Sequence, residues 1–249
     1  MSGHSKWHNI RLRKGKQDAE RSKSFTKLTK EIIVAAKNGG GNPDANIRLR
    51  TAIEAARKAS MPNDNIKRAI QRGTGELEGV SYEELTYEGY GPGGVAIMVN
   101  CLTDNKNRTV PDVRSIFSKN GGRMGESGSV SYLFNPVGLI QIEPGVTTED
   151  TLMEVVLDAG AEDVQPTDDG GFEVTTSFEG FTAVRDALDA AKIAYSSAET
   201  TMVPTTTVSV EGKEAAQVLR LIDTLEEHDD VQNVYANVEI SEEDALAAA

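Results

Sequence analysis

The chain has 249 residues with one cysteine, 26 basic and 39 acidic side chains, and a formal net charge of −13. This length predicts two or three domains, because one hydrophobic core usually serves about 100 to 150 residues. A single cysteine excludes a disulfide framework and leaves too few thiols for a zinc–thiolate site. Without an apolar run of roughly 20 residues or the apolar segment of a signal peptide, the sequence predicts a cytoplasmic location.

The charge is distributed unevenly along the chain. Residues 1–74 contain 17 basic and 6 acidic side chains, a balance of +11, which leaves 9 basic and 33 acidic side chains elsewhere, a balance of −24. This pattern indicates a basic module joined to an acidic body that repels non-specific nucleic acid. The average charge therefore conceals a segment that is suited to phosphate binding.

Three amphipathic helices are predicted in the basic module. The first covers residues 18–37, where apolar residues recur at spacings of three and four, and a run of glycines ends it. The second is predicted to begin with Asn42 as its N-cap and Pro43 in its first position. The third is predicted to be capped by Asn63 and to end at Gly73 in the left-handed conformation.

After residue 75, short runs rich in Val, Ile, Tyr and Thr alternate with helical patterns. Residues 136–204 follow the order βαββαβ of a ferredoxin-like domain. One strand–helix–strand unit precedes this block, with strands at 95–102 and 130–134. Another follows it, with strands at 206–210 and 234–240. The two flanking units together complete a second βαββαβ set.

The predicted fold class is therefore α+β, with an N-terminal three-helix bundle followed by two ferredoxin-like (βαββαβ) domains, one inserted within the other. The predicted domains are a basic helical nucleic-acid-binding domain at 1–76, a discontinuous ferredoxin-like α/β domain at 77–135 plus 205–240, and an inserted acidic ferredoxin-like α/β domain at 136–204. Residues 245–249 are rich in alanine, have little to bury and are expected to fray.

Basic side chains throughout the module are the candidate nucleic-acid contacts, because they can neutralise phosphates and release counterions. Trp7 can either stack on a base or pack against the bundle. The predicted binding residues are Lys6, Trp7, Arg11, Arg13, Lys14, Lys16, Arg21, Lys23, Lys27, Lys30, Arg48, Arg50, Arg57, Lys67, Arg68 and Arg72. A possible second contact surface consists of Lys106, Arg108, Arg114, Lys119 and Arg123. The alternative for the N-terminal string Gly3–Lys23 is a solvated, disordered terminus.

The sequence contains no constellation typical of catalysis or metal binding. His4 and His8 are four residues apart but lack a third ligand, and His228 lies in a charged turn whose carboxylates favour its protonated form. Cys101 lies in an apolar run and is interpreted as an inert core thiol. Residues 87–94 lack the Gly-Lys-Ser or Gly-Lys-Thr ending of a phosphate loop, so their glycines indicate a tight connection between strands or close approach to a partner. We therefore predict no enzyme activity, no metal and no cofactor.

An RNA-recognition motif was the remaining possibility for the acidic body. The predicted strand 130–134 has Tyr132 and Phe134 at alternate positions, but it lacks the basic and glycine–aromatic pattern of that motif. The sequence therefore predicts that the acidic body does not read bases.

Six segments in a fixed order are informative together. They are GHSKW at Gly3–Trp7, FTKLTKEI at Phe25–Ile32, GGGNPDAN at Gly39–Asn46, YEGYGPGG at Tyr87–Gly94, NRTVPDVR at Asn107–Arg114 and GSVSYLF at Gly128–Phe134. This set resembles the YebC/PmpR family, which is related to the mitochondrial translational activator of cytochrome c oxidase. The resemblance implies a three-domain architecture, a cytoplasmic bacterial location and no enzyme activity. Members of the family are described as DNA-binding transcriptional regulators and also as ribosome-associated translation factors that relieve stalling, notably at proline-rich stretches.

Three functions remain open at the level of sequence. The leading hypothesis is a translation factor that contacts ribosomal RNA, because the basic residues are spread over three helices and a tail rather than one recognition helix. The alternative is a regulator that binds promoter DNA. A ligand-binding or scaffolding module without nucleic acid would leave the basic segment unexplained. Neither a membrane nor a small-molecule substrate is expected as a partner.

Overall fold

Three helices form the basic module in the computed structural model, which describes residues 19–167 and 169–247. They are α1 (Ala19–Gly39), α2 (Ile47–Lys58) and α3 (Asn63–Thr74). α1 packs against both other helices, and all three share a core that includes Ile32, Leu49 and Ile66. The periodic apolar positions of the sequence thus become one buried face per helix, and the predicted helical bundle is confirmed.

Three predicted helix boundaries are wrong. Asn63 is the first residue of α3 and not its cap, since Pro62 occupies the N-cap position. Asn42 and Pro43 lie in a turn before α2, whose N-cap is Asn46; the Asn46 side chain accepts a backbone N–H of the first helical turn at 3.0 Å. α3 continues through Gly73 and ends at Gly75, which has the left-handed φ of 82°. A Cβ at Gly73 would lie 2.5 Å from a carbonyl oxygen of α1, so this glycine allows two helices to pack closely.

The rest of the chain contains ten strands and five α-helices within the described residues. In chain order these are β1 (Glu83–Tyr90), β2 (Ala96–Thr103), α4 (Lys106–Lys119), β3 (Arg123–Met124), β4 (Phe134–Ile142), α5 (Glu149–Asp158), β5 (Ala161–Pro166), β6 (Phe172–Ser177), α6 (Phe181–Ala191), β7 (Ser197–Pro204), β8 (Val208–Ser209), α7 (Gly212–Glu226), β9 (Val231–Ala236), β10 (Val238–Glu239) and α8 (Glu242–Ala247). No helix in these described ranges is long and apolar enough to cross a membrane.

The first sheet is antiparallel and has the strand order β3-β1-β2-β9. Its core places Val99 of β2 together with Phe117 of α4 and Leu221 of α7. β1 was not predicted from the sequence, although it pairs with β2 along its whole length, from Glu83 opposite Thr103 onward. A short turn joins the two strands, and strands joined in this way usually pair with each other.

Three predicted strands therefore change. Residues 131–133 form a 3₁₀ turn instead of a strand, and β4 begins directly after it. The predicted strand 206–210 shortens to β8, which pairs in parallel with β10 outside the main sheet. The predicted strand 234–240 is divided into β9 and β10 at Asn237, whose side-chain oxygen accepts the N–H of Ala96 at 2.7 Å.

The second sheet follows the predicted path βαββαβ, with the antiparallel strand order β5-β6-β4-β7. Its core contains Ile140, Val156 and Leu188 from a strand and two helices. The predicted class, helices followed by two antiparallel-sheet domains, is thus confirmed. Residues 133–205, which hold this sheet, have 14 acidic and 2 basic side chains.

Two compact units account for the described residues: 133–205 form one, and the segments before and after them form the other. The three N-terminal helices therefore belong to the same unit as the first sheet. A further division of that unit at residue 76 stays a prediction. In the C-terminal helix α8, Ala245 is 3% exposed, so the expected fraying is wrong for this residue.

Candidate nucleic-acid interface

Eight of the predicted contacts cannot be placed. Lys6, Trp7, Arg11, Arg13, Lys14 and Lys16 lie outside the described residues, as do the side chains of Arg21 and Lys23. His4 and His8 also lie outside them. The predictions for these positions stand as they were made from the sequence.

Lys30 on α1 is buried and bonded within the protein. Its Nζ donates to Asp230 Oδ1 at 2.7 Å and to the Asp229 carbonyl at 2.9 Å, and its side chain is 8% exposed. On the preceding turn, Lys27 Nζ donates to the Glu226 carbonyl at 2.6 Å. These ammonium groups join α1 to the segment that follows α7, so we withdraw Lys30 from the candidate phosphate contacts.

Asp230 is a buried carboxylate at the centre of a polar group, the Asp230 cluster, formed by Asp230, the buried Lys30, Thr103 and Thr109, and the exposed Arg108. Its Oδ2 accepts hydrogen bonds from Thr109 Oγ1 at 2.8 Å, from an Arg108 nitrogen at 2.9 Å and from Thr103 Oγ1 at 3.2 Å. Burial alone would raise the pKa of this carboxyl, but the bonds from Lys30, Arg108 and Thr109 hold it well below its ordinary value. The carboxylate therefore remains ionised inside the unit.

Arg48 on α2 is also engaged within the protein. Its guanidinium bonds Glu31 of α1 at 2.7 Å and Glu84 of β1 at 3.0 Å, while its side chain remains 38% exposed. Hydrogen bonds to these carboxylates, the first to Glu31, raise its pKa above the ordinary value although burial opposes this. Close by in the sequence, Arg50 Nε is buried without a hydrogen-bond partner in the described part of the chain.

In the described part of the predicted N-terminal binding set, four cations are exposed: Arg57 on α2, and Lys67, Arg68 and Arg72 on α3. The last three form what we call the α3 basic face. They lie on the side of α3 away from its buried residues Ile66 and Ala69, with Arg68 and Arg72 one helical turn apart. None of the three forms an ion pair with another described residue, so their charges are available to an anionic partner.

The predicted second contact surface does not form one face. Arg108 belongs to the Asp230 cluster, and the Arg123 guanidinium lies over the Tyr90 ring at 5.5 Å. Arg114 is six residues after Arg108 on α4, which places it roughly 240° around the helix. Lys106, Arg114 and Lys119 are exposed, so this region offers separate charges rather than a single patch.

The glycines of residues 87–94 serve close packing. A Cβ on Gly89 would lie 2.6 Å from the Arg123 carbonyl oxygen and 2.8 Å from the Phe117 ring. Gly93, with φ of 68°, lies in the turn between β1 and β2. The interpretation of a tight connection between strands is confirmed. Contact of these glycines with a partner stays a prediction.

Glu88 in the same segment has a structural role that the sequence did not reveal. It is 5% exposed, and its carboxylate accepts the N–H groups of Gly128 at 2.7 Å, Val130 at 2.7 Å and Ser131 at 2.8 Å. Burial acts to raise its pKa, but these backbone hydrogen bonds leave the pKa lowered. Glu88 thereby fixes the loop of residues 125–131 against β1, and a glutamate between Tyr87 and Gly89 gives no sequence signal of this role.

The remaining reactive side chains have structural surroundings. Cys101 is fully buried, which confirms that it is a core residue, and burial raises its pKa to about 12. His228 Nδ1 accepts the Asp230 N–H at 3.1 Å, and its Nε2 lies 3.5 Å from Asp112 Oδ2. Across residues 19–167 and 169–247, no three His, Cys, Asp or Glu side chains are grouped as metal ligands.

The helical module and the body with its two sheets both match profiles of one protein family. Residues 5–76 match the profile of the TACO1/YebC protein N-terminal domain, and residues 82–238 match that of the TACO1/YebC second and third domain. The chain belongs to the TACO1/YebC family.

Relatives in several bacteria have the name probable transcriptional regulatory protein. The chain is 58% identical to one from Syntrophobacter fumaroxidans and 56% identical to one from Geobacter sulfurreducens, in each case over 244 residues and 98% of both chains. A crystal structure of a conserved hypothetical protein from Aquifex aeolicus is 49% identical with a TM-score of 0.80, and the match covers 90% of this chain and 93% of that one.

Proposed function

We propose that this protein is a non-enzymatic regulator of gene expression that binds nucleic acid through phosphate contacts of its N-terminal helices. The observation that carries the proposal is the α3 basic face, because Lys67, Arg68 and Arg72 are exposed on one helix without acidic partners in the described chain. Cations arranged in this way neutralise phosphates and release counterions. The names of the relatives support a regulatory role.

Regulation of transcription is the form of this function that the relatives' names favour. A second candidate, a ribosome-associated translation factor that contacts ribosomal RNA and relieves stalling, is favoured by the distribution of charge. The exposed, described cations of the predicted N-terminal binding set lie on two helices, α2 and α3, instead of one recognition helix, and residues 133–205 carry 14 acidic side chains that repel a duplex lying along them. A protein with basic helices and an acidic domain is suited to a binding site that is formed by both nucleic acid and protein, as on a ribosome.

The salt dependence of binding tests the proposed site on the full chain. Arg68→Gln/Arg72→Gln should reduce the slope of log K against log salt by about two phosphate equivalents, since each lost phosphate contact lowers it by roughly 0.9. Lys213→Gln/Arg220→Gln removes the same charge from the exposed surface of α7 and should leave the slope unchanged. Equal effects of the two pairs would place the contact elsewhere, and no binding to DNA or RNA would favour a scaffolding role.

Crosslinking in cells followed by sequencing of bound DNA and RNA distinguishes the two targets. A transcriptional regulator should be crosslinked at defined promoters, and its deletion should change the corresponding messenger levels. A translation factor should be crosslinked to ribosomal RNA, and ribosome profiling of the deletion strain should show increased pausing before messenger levels change. The α3 variant should lose whichever crosslinks the wild-type protein forms.

A further inference from the structure

Tyr132 is an exposed aromatic side chain in a segment that is otherwise anchored. Its side chain is 71% exposed, whereas Val130 is fully buried and Phe134 is 5% exposed. In the predicted strand, positions 132 and 134 would have faced the same side of a sheet. The 3₁₀ turn at residues 131–133 changes this relation, so Phe134 enters a core while Tyr132 points outward.

The loop before Tyr132 is fixed by buried hydrogen bonds. The Glu88 carboxylate accepts the N–H groups of Val130 and Ser131 at 2.7 and 2.8 Å, directly before the tyrosine. Tyr90 Oη donates to the Ser129 carbonyl at 3.0 Å. A buried carboxylate that binds backbone N–H groups is a strong, directional anchor. The exposed ring is therefore held on an ordered support, which reduces the entropy lost when it binds a partner.

The segment that contains α4 and precedes this loop, residues 106–123, is basic. Residues 106–132 contain five basic and two acidic side chains, in contrast to the 14 acidic and two basic side chains of residues 133–205. Of these cations, Arg123 stacks over Tyr90, the same tyrosine that bonds the loop. The exposed cations Lys106, Arg114 and Lys119 of α4 can each neutralise a phosphate, and a fixed, exposed aromatic ring follows them in the chain. Sites for single strands combine these two features, because phosphates are neutralised there while bases stack.

We propose that Tyr132 is a stacking site for an unpaired nucleobase of the bound nucleic acid, with Glu88 as the residue that positions it. This inference rests on the proposed function. It assigns base contact to a part of the body that the sequence predicted would not read bases. An unpaired base is required because a base within a duplex is already stacked on its neighbours and its face is not accessible. Stacking tolerates any base sequence, because every base has a π-face.

The first test uses fluorescence from a single tryptophan. The chain has one tryptophan, so in Trp7→Phe/Tyr132→Trp the new indole is the only one. Titration with a 20-nucleotide single-stranded RNA of mixed sequence should quench its fluorescence, whereas a duplex of the same length should bind without comparable quenching. Binding of the single strand without quenching would overturn the inference.

Affinity for the same single strand is the second measurement. Tyr132→Ala in the full chain should weaken binding roughly 5- to 150-fold, while Tyr132→Phe should retain most of the affinity because the ring remains. Phe178→Ala is the matched control, since Phe178 is a 53% exposed aromatic residue in the acidic unit and its loss should leave affinity unchanged. A wild-type protein that binds while Tyr132→Ala binds equally well would overturn the stacking site and leave the proposed function intact. Failure of the wild-type protein to bind any nucleic acid would overturn both.

The positioning role of Glu88 is tested by a double-mutant cycle. Glu88→Gln should weaken binding and lower the fluorescence anisotropy of the indole at position 132 in the single-tryptophan background. Adding Glu88→Gln to Tyr132→Ala should weaken binding no further, because the two residues act through one contact. Additive losses, or an unchanged anisotropy in the Glu88→Gln protein, would show that Glu88 supports only the fold.

Discussion

Lys30 on α1 and Lys67 on α3 belong to the same basic module but have opposite surroundings. Lys30 is buried and bonded to Asp230, which lies 200 positions away in the sequence, while Lys67 is exposed on the α3 basic face. The first lysine joins the helices to the sheet, and the second leaves its charge in solvent. Arg48 is intermediate in burial, since it pairs with two carboxylates and stays partly exposed.

This difference shows that the net charge of a module does not give the number of phosphates that it can bind. The +11 balance of residues 1–74 includes cations that are already neutralised by the acidic body. A buried ammonium requires a partner because transfer from water is costly, so its charge is committed to the fold. An exposed one remains hydrated and exchanges water and counterions for phosphate at little cost. Four predictions follow this contrast, from the largest expected effect to the smallest.

Lys30→Met should lower the free energy of unfolding by about 3 kcal/mol, because removal of one partner leaves a buried carboxylate less compensated. The value lies at the lower end of the usual range because Arg108 and Thr109 still bond Asp230. Urea denaturation at neutral pH measures the loss. Lys67→Met is the matched control and should retain wild-type stability; equal losses for the two lysines would abolish the distinction between them.

Asp230→Asn should reduce the sensitivity of the fold to acid. The folded pKa of Asp230 is below its unfolded value of about 3.9, so its stabilisation is fully present above that pH and is lost as the pH falls toward the folded pKa. The asparagine variant should be less stable at pH 7 and should lose stability less steeply below about pH 4. Asp64→Asn, at the exposed start of α3, should keep the wild-type slope. A steep acid slope retained by Asp230→Asn would contradict the role of this carboxylate.

Lys67→Met should lower the salt-dependence slope of nucleic-acid binding by roughly 0.9, the contribution of one phosphate contact. Lys30→Met, measured where the protein is still folded, should leave that slope unchanged because its ammonium is bonded internally. Filter binding or anisotropy between about 50 and 200 mM salt provides the slopes. The contrast would fail if Lys30→Met lowered the slope as much as Lys67→Met.

Arg48→Gln should have a small effect on stability, less than about 1 kcal/mol, because a partly exposed ion pair is weakened by solvent and salt. The difference from wild type should shrink further at high salt, which urea denaturation at two salt concentrations can measure. Its salt-dependence slope for nucleic acid should remain unchanged, since Glu31 and Glu84 already neutralise the guanidinium. A lower slope would indicate that Arg48 exchanges these carboxylates for phosphate on binding.

Local patterns made part of the fold predictable. The helices α1 to α3 and the six elements of residues 136–204 have apolar residues at helical or alternating spacing, and these signals need only neighbouring positions. β1 was missed because EELTYEGY mixes charged residues, glycine and tyrosine, and pairing with β2 supplies its stability. The predicted strand 130–134 failed for the opposite reason, since Glu88 holds that backbone in a turn despite its strand-like composition.

Some residues of the candidate site could be predicted from local patterns, and others could not. Exposed cations such as Arg68 were recognisable, because the residues around them mark the buried face of a helix. The buried position of Asp230 was not recognisable, since Asp230 follows a run of acidic residues that is typical of a solvated turn. Glu88 and Tyr132 are brought together only when the loop 125–131 folds back onto β1, where Glu88 binds the backbone of that loop.

The sequence by itself determined the separation of charge, the helical periodicity and the path of the inserted domain, because each depends on residues close together in the chain. The tertiary structure decided which cations remain available, since Lys30 is neutralised by Asp230 and Arg48 by Glu31 and Glu84. It also decided that Tyr132 is exposed while Phe134 is buried. Such outcomes depend on contacts between distant segments, and a local pattern carries no information about the partner that a buried charge will meet.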